Sequence, residues 1–465
     1  MGYASMVAGA LTLVCVVSAA TRSAPASGPL RVHPRNPRYF ADGTGRAILL
    51  AGSHTWNNLL DMGAADPPAR FDFDAYLDWM AKLNHNFIRL WAWELVSWDT
   101  RGGSAQWSQP KRCFAAPQPW LRTGPGNALD GKPKFDLTKF NPDYFDRLRT
   151  RVGAAGKRGI YVSIMLFEGW CMQFIADAWA NHPFNAANNV NGIHGDPNGD
   201  GKGIEVHELA VKAVTAVQEA YVRKVIDTVN DVDNVLYEIS NENHPPSTEW
   251  QYHIIRSIKD YEKTKPKQHP VGMTFQYKGG SNKTLFDSPA DWVSPNPDGG
   301  YRDNPPAADG KKVVLSDTDH LWGIGGNAAW VWKSFLRGHN PVFMDPYDRL
   351  ILGGRFEAKF EPVRRNMGYA LRLASRLDLA AMRPRGDLAS SSYCLADWGE
   401  AYLIYAPDGS NVTVDLSAAK GDLAVEWLDP KSGKTTGDNR AAGGGPRQFK
   451  APFPGEAVLY LARTK

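Results

Sequence analysis

The chain has 465 residues and 43% hydrophobic content, enough for one large domain and a smaller one and ordinary for a globular protein. Its formal net charge of +4 is mild, and Lys and Arg are scattered rather than blocked, which argues against a nucleic-acid or membrane-surface partner. The 16 Trp, 17 Tyr and 19 Phe are more telling; part of them builds the core, and the rest supply flat apolar faces for a ligand.

In chain order, residues 6–20 form an apolar run that ends in small side chains. Residues 1–20 therefore read as a signal peptide, although no Lys or Arg precedes the run, and the expected location is secreted or periplasmic. Cys15 lacks the small residues that precede a lipid-modified cysteine. No other stretch is long and apolar enough to span a membrane. Beyond the leader stand Cys113, Cys171 and Cys394. A disulfide between Cys113 and Cys171 and three unpaired thiols are both open readings. No CxxC or Cys/His cluster points to zinc.

Residues 28–384 alternate strand-like and helical patterns. The predicted strands are Ala47–Ala51, Asn86–Trp91, Ile160–Leu166, Val235–Ser240, Val271–Phe275, Trp292–Ser294, Val313–Ser316 and Pro341–Met344. The predicted helices are Phe73–Leu83, Pro142–Lys157, Glu208–Asn230, Thr248–Tyr261, Ala328–Leu336 and Glu361–Met382. Eight strands alternating with helices predict a (β/α)8 TIM barrel in the α/β class; the crossover from Trp292 to Val313 shows no helix. Two connections are long, Glu94–Phe140 with Trp98, Trp107 and Trp120, and Glu168–His207 with Trp170 and Trp179. Both follow strands and so belong to the catalytic end of such a barrel. From residue 385 to 465 short alternating runs separated by turn signals predict a small all-β sandwich domain.

Asp196, Asn198, Asp200 and Gly201 match the start of a calcium loop, but the position of its bidentate Glu is His207, and a plain Gly/Asn turn is the better reading.

The run Leu236-Tyr-Glu-Ile-Ser-Asn-Glu242 delivers a carboxylate, with an amide beside it, to the end of the fourth strand. Val313-Val-Leu-Ser-Asp317-Thr-Asp319-His320 ends the seventh strand with two acids. The fourth and seventh strands of eight face each other across a barrel. Two opposed carboxyls are what glycosidic cleavage needs, one to protonate the leaving oxygen and one to attack carbon or activate water. Glu242 is thus the candidate acid/base, although it also fits as a helix cap. Asp317 and Asp319 are alternatives for its partner, with Asp345 at the end of the eighth strand a third candidate. Glu238 points the same way as Glu242 but lies deeper, and reads as structural. Candidate substrate contacts at strand ends are His54 and Trp56; Arg89, Trp91, Trp93 and Glu94; Glu168 and Trp170; Asn241; Gln276 and Tyr277; Asn296 and Asp298; and His320 and Trp322.

With these motifs, residues from about 30 to 382 resemble the clan of (β/α)8 glycoside hydrolases that includes cellulases and β-mannanases. Ser240-Asn241-Glu242 matches its strand-four Asn-Glu pair, and Arg89 in Phe87-Ile-Arg-Leu-Trp-Ala-Trp-Glu94 matches its strand-two Arg. Residues 385–461 resemble the C-terminal β domain of bacterial apiosidase-like hydrolases, a domain labelled collagen-binding. The resemblance implies a glycosidase acting on a carbohydrate, with Glu242 as acid/base, Asn241 on the sugar 2-hydroxyl, Arg89 steadying the nucleophile, retention of configuration, and no organic cofactor or metal. It departs from the clan at strand seven, where Asp317, which the alignment selects over Asp319 as the nucleophile, stands in place of Glu; the shorter side chain widens the carboxyl gap unless the backbone moves inward.

Overall fold

The computed structural model describes residues 24–99, 112–347, 357–409 and 411–463. The signal-peptide reading at residues 1–20, Cys15 and Trp107 lie outside the described residues.

Eight parallel strands, β1 Gly52–His54, β2 Phe87–Leu90, β3 Tyr161–Glu168, β4 Val235–Asn241, β5 Val271–Thr274, β6 Trp292–Ser294, β7 Val313–Asp317 and β8 Asn340–Met344, pair in the spatial order β1-β8-β7-β6-β5-β4-β3-β2. β3 and β4 are buried along their whole length, as strands covered on both faces must be. The barrel comes round where β1 passes β2. A Cβ on Gly52 would lie 2.0 Å from the Phe87 carbonyl oxygen, so only glycine allows that approach.

The helices are α1 Phe73–Lys82, α2 Pro142–Gly156, α3 Gly169–Phe174, α4 Lys212–Val229, α5 Thr248–Glu262, α6 Asn282–Asp287, α7 Thr318–Leu321, α8 Ala328–Leu336 and α9 Glu357–Ala374. Several begin on a side-chain cap: Asp72 accepts from Ala75 N, Asn141 from Asp143 N ahead of Pro142, and Glu168 from Trp170 N and Cys171 N. As expected, the crossover from β6 to β7 contains no helix.

Three expectations change. The first barrel strand is Gly52–His54, not Ala47–Ala51. Ala47–Ile48 instead joins Arg31–Val32 and Phe40–Ala41 in a small sheet below the barrel, while Leu50 N and Ala51 N are taken by the Asn340 and Asn86 side chains. The predicted fourth-strand approach helix starts later, at Lys212, because Ile204–His207 forms a separate 3-10 turn. The last barrel helix stops at Ala374; Leu377, Leu379 and Met382 continue the apolar spacing and are buried, but in irregular chain.

Past the barrel, Arg383–Pro384, β9 Cys394–Asp397, β10 Ala401–Ala406, β12 Asp422–Leu428, β13 Thr435–Ala442 and β15 Ala457–Arg463 form a six-stranded antiparallel sheet, while β11 Val412–Asp415 pairs with β14 Pro446–Phe449. A core of Val412, Val414, Tyr402, Leu459 and Phe449 lies between these layers. β13 was not foreseen: its Thr-Thr-Gly-Asp-Asn-Arg sequence is polar, and it is held as an edge strand by pairing with β12 across a bulge at Val425/Glu426. The other face of the sheet joins the barrel. Tyr393, Leu395, Leu403, Tyr405, Leu428 and Val458 belong to the same hydrophobic cluster as the barrel helices. Asn366 Nδ2 donates to Pro430 O (3.0 Å), and Arg376 pairs with Glu426 (2.7 Å). At Gly433 (φ +70°) a Cβ would fall 2.3 Å from the Tyr369 ring.

Candidate active site

Arg89 on β2 organises the carboxyl end of the barrel. Its Nε and Nη2 donate to the two oxygens of Glu238 (2.9 and 2.5 Å), Nη2 also to Asn241 Oδ1 (2.9 Å), and Nη1 to Asp317 Oδ2 (2.8 Å) and Asp319 Oδ2 (3.2 Å). One buried guanidinium therefore ties together acids from β4 and β7, using its planar fork. Burial alone would lower the Arg89 pKa, but Glu238 and Asp317 outweigh it and hold it well above its ordinary value. Glu238 is fully buried and spent on this pair, the structural role expected for it.

Asp317 is enclosed. Its Oδ1 meets His54 Nε2 (3.0 Å) and Asp319 N (3.0 Å), and its Oδ2 meets Arg89 and His54 Nε2 (2.9 Å). His54 Nδ1 accepts from Trp91 Nε1 (2.7 Å), a group that only donates, so His54 carries its single proton on Nε2 and gives it to Asp317. Burial pushes the Asp317 carboxyl up, but His54 and Arg89 overcome this and hold it far below the usual carboxylate range. It also caps α7. Asp319, in the first turn of α7, is more open (7% exposed against 1%). Burial, opposed by Arg89 and reinforced by Asp317, pushes Asp319 up to about 7.

Glu242 follows β4 with φ +42°, in the left-handed region that a side-chain-bearing residue rarely occupies. Gln173 Nε2 at the end of α3 donates to its carbonyl (2.8 Å). Burial is the largest influence on its carboxyl and the charge of Asp319 the next, with Glu168 after it; together they raise its pKa well above the ordinary value. Asp319, from the end of β7, is thus the acid whose charge acts most on Glu242 at the end of β4.

Asn241 is oriented without ambiguity. Its Oδ1 accepts from Arg89 and from His320 Nε2 (3.1 Å), and its Nδ2 faces Glu168 Oε1 (3.3 Å). His320 is neutral, pushed down to about 3 by burial and then by Arg89, and its Nδ1 accepts from Ser294 Oγ (2.7 Å). Glu168, pushed up to about 7 by burial, caps α3. Glu94 Oε2 accepts from Glu168 N (2.8 Å) and lies 2.9 Å from His207 Nε2, with His182 at 3.4 Å from its other oxygen. Burial opposes ionisation of Glu94, but His207 and His182 hold it well below the usual range.

Aromatic rings line one side. His54, Trp91, Trp56, Trp93 and Trp98 pack in sequence at 4.7–5.5 Å between centroids, and Trp56 continues to Trp170 at 5.6 Å. Trp170, Phe174 and Tyr277 follow, all half-buried, with Phe174 edge-on to Tyr277 at 5.0 Å. The Tyr277 backbone N–H donates to Asn243 O (2.9 Å), which places this wall next to Glu242. Trp322 is half-buried on the other flank, edge-on to Trp330.

The remaining sequence candidates serve elsewhere. Gln276 Nε2 is used on His244 O, Pro245 O, Ser247 Oγ and Thr248 Oγ1, pinning the β4–α5 loop. Asn296 is engaged with Asp298, Asn282 and Gly280 in the loop after β6. Asp345 gives both oxygens to Arg364 (2.8 and 2.6 Å). The residues not foreseen are Gln173 and Phe174 on α3 and His182 and His207 on Glu94; their positions depend on the long β3–α4 connection and carry no spacing signal. In the Asp196 loop, the carboxyl accepts from Gly199 N and Gly201 N, as a turn does. Cys113, Cys171 and Cys394 are buried thiols; the Cys113–Cys171 disulfide is not formed.

Residues 113–279 match the family described as a domain of unknown function, DUF6298, and residues 386–458 match the family described as "Putative collagen-binding domain of a collagenase". No curated protein matches the chain. A glycoside hydrolase family 5 protein from Bacteroides vulgatus superposes with TM-score 0.59 at 14% identity, covering 94% of this chain and 95% of its own. A second structure, described as a glycoside hydrolase, gives 0.58 at 14% identity, covering 94% and 97%. The chain therefore has a glycoside hydrolase family 5-like (β/α)8 fold followed by a domain of the collagen-binding type.

Proposed function

We propose that this protein is a glycosidase that cleaves O-glycosidic bonds in an oligosaccharide or polysaccharide, with Glu242 as general acid/base and Asp319 as the opposing carboxylate. The observation that carries this reading is the placement of two buried acids at facing strand ends, Glu242 after β4 and Asp319 after β7, where burial first and the Asp319 carboxyl second raise the Glu242 pKa. Asp317 resembles the strand-seven residue in position, but all the hydrogen bonds around it hold it still. Asp319 keeps one oxygen clear of Arg89 and stands two residues further toward the open end. Asp317 then fixes Arg89 and His54, and Arg89 steadies Asp319.

In the proposed reaction Glu242 protonates the leaving oxygen while Asp319 attacks the anomeric carbon. Water, deprotonated by Glu242, then releases the sugar. Asn241 Nδ2 offers a donor for a sugar hydroxyl, and the Trp170–Phe174–Tyr277 wall offers a stacking face. The same reading has the chain exported, on the strength of the apolar run at residues 6–20.

A screen of plant and microbial polysaccharides with product analysis identifies the substrate. On it, Glu242→Gln is expected to lower kcat/KM by about 10²–10⁴, and to lose much less on glycosyl fluorides, which need no proton to depart. Asp319→Ala with azide is expected to release a glycosyl azide of inverted configuration. Wild-type hydrolysis by Glu242→Gln, or azide products from Asp317→Ala rather than Asp319→Ala, would refute the assignment.

A further inference from the structure

The long excursion between β2 and α2 contains a cavity of about 350 Å³. Val96 and Ser97 line it, and Val96 lies two residues beyond Glu94, which bonds to the Glu168 backbone beside Asn241. Its walls carry the rings of Phe114, Trp120 and Phe135. Trp120 is fixed from behind by Phe184 and Tyr221 (5.3 and 5.9 Å).

Two buried polar atoms on these lining residues, Gln118 Oε1 and Trp120 Nε1, have no hydrogen-bond partner among the described residues. The Gln118 amide is oriented, since its Nε2 donates to Leu95 O and Ala115 O (3.2 and 3.3 Å). One orphan therefore accepts and the other donates. A hydroxyl group does both at once, and an unmet buried polar group is costly enough that a ligand supplying the partner gains from it. The cations on the lining are already matched. Arg122 pairs with Asp130 while its guanidinium lies 4.1 Å over Phe135, and Lys132 pairs with Asp66 at 2.6 Å. Asp143 has no ion pair among the described residues, which disfavours an anion and suits a hydroxyl. An anionic ligand would have to break one of these pairs, whereas a neutral polyhydroxy ligand would not.

We infer that this cavity is a second carbohydrate subsite, taking a neutral sugar unit of the chain whose cleavage occurs at Glu242. The inference rests on the glycosidase reading for its role, and on the cavity for its ligand. The volume falls at the lower end of small-ligand sites and accommodates about one or two sugar rings.

The test uses the full chain with cellohexaose, mannohexaose and xylohexaose as probes, and the 4-nitrophenyl glycoside of the same sugar as a short control. Val96→Trp enlarges a side chain that lines the cavity and packs at the edge of the core; Trp120→Phe keeps an aromatic ring and removes the donor. Both are checked for an unchanged Tm. Val96→Trp is expected to raise KM for the hydrolysed hexasaccharide about 10-fold, the equivalent of one or two lost hydrogen bonds, with kcat/KM on the nitrophenyl glycoside unchanged. Trp120→Phe should shift the same way by a smaller factor. Folded variants with wild-type KM on the hexasaccharide overturn the subsite while leaving the glycosidase reading intact. If the wild type hydrolyses none of the probes, calorimetric titration of wild type and Val96→Trp decides separately: hexasaccharide binding lost only in the variant supports the subsite, and equal or absent binding in both refutes it.

Discussion

Glu242 carries two costs at once, a left-handed backbone and a buried carboxyl facing another acid. They can be separated. Glu242→Ala removes the acid and keeps the strained φ; Glu242→Gly removes both. The glycine variant is expected to be more stable than the alanine variant by about 1 kcal/mol in chemical denaturation, and equal stability would show that the backbone is not strained. The acids also set a pH dependence. Glu168 and Asp319 are raised to about 7 in the folded protein from about 4 in the unfolded chain. The folded state therefore binds more protons over that window, so these groups stabilise fully below pH 4 and lose their contribution as pH rises through about 7. Asp317 works in the opposite sense: its lowered pKa stabilises above pH 4 and is lost on acidification. Asp319→Asn should thus gain stability over the wild type between pH 5 and 8, with the gap closing near pH 4, as followed by Tm against pH. For activity, kcat/KM should rise through about pH 7 as Asp319 ionises and fall at higher pH as Glu242 loses its proton, a profile that belongs to the pair. The position of Glu242 at the carboxyl end of a barrel strand was legible from its place after an apolar run. Which of Asp317 and Asp319 is the more enclosed was not, because two acids two residues apart read alike until one is seen capping α7 and gripping His54.

Among the elements, strands buried on both faces announced themselves as apolar runs, and seven of the eight barrel strands overlap their predicted ranges. The eighth, β1, was displaced because Ala47–Ala51 is the apolar stretch while the ladder begins at Gly52, chosen for its missing side chain. Gly52→Ala would place a methyl group against the Phe87 backbone, which cannot rotate away. The expected loss is about 3 kcal/mol or more, read as a lower denaturant midpoint at unchanged m-value. A neutral result would mean that β1 and β2 can part without harm. Helix α9 shows the converse failure: its apolar spacing runs on past Ala374 because buried irregular chain obeys the same demand for cover as a helix does.

At the scale of the whole molecule, the composition shift near residue 385 marked a second domain but not its attachment, since the residues that join it to the barrel look like any other core positions. Tyr393, Leu403 and Val458 complete the cluster over α8 and α9. Removing residues 385–465 would expose that surface along with the Asn366 and Arg376 contacts. The truncated chain is expected to be insoluble or to melt well below the full chain, and the full chain to unfold in a single calorimetric transition. Two transitions, or a soluble truncation with the parent Tm, would show that the domains are independent. The buried thiols make the same question answerable without truncation. Cys113 lies in the excursion, Cys171 on α3 beside the acids, and Cys394 in the β domain. A disulfide reagent can reach each sulfur only when its own neighbourhood opens. Labelling rates followed peptide by peptide would therefore act as three internal clocks, and if barrel and β domain open together, Cys171 and Cys394 will keep the same time.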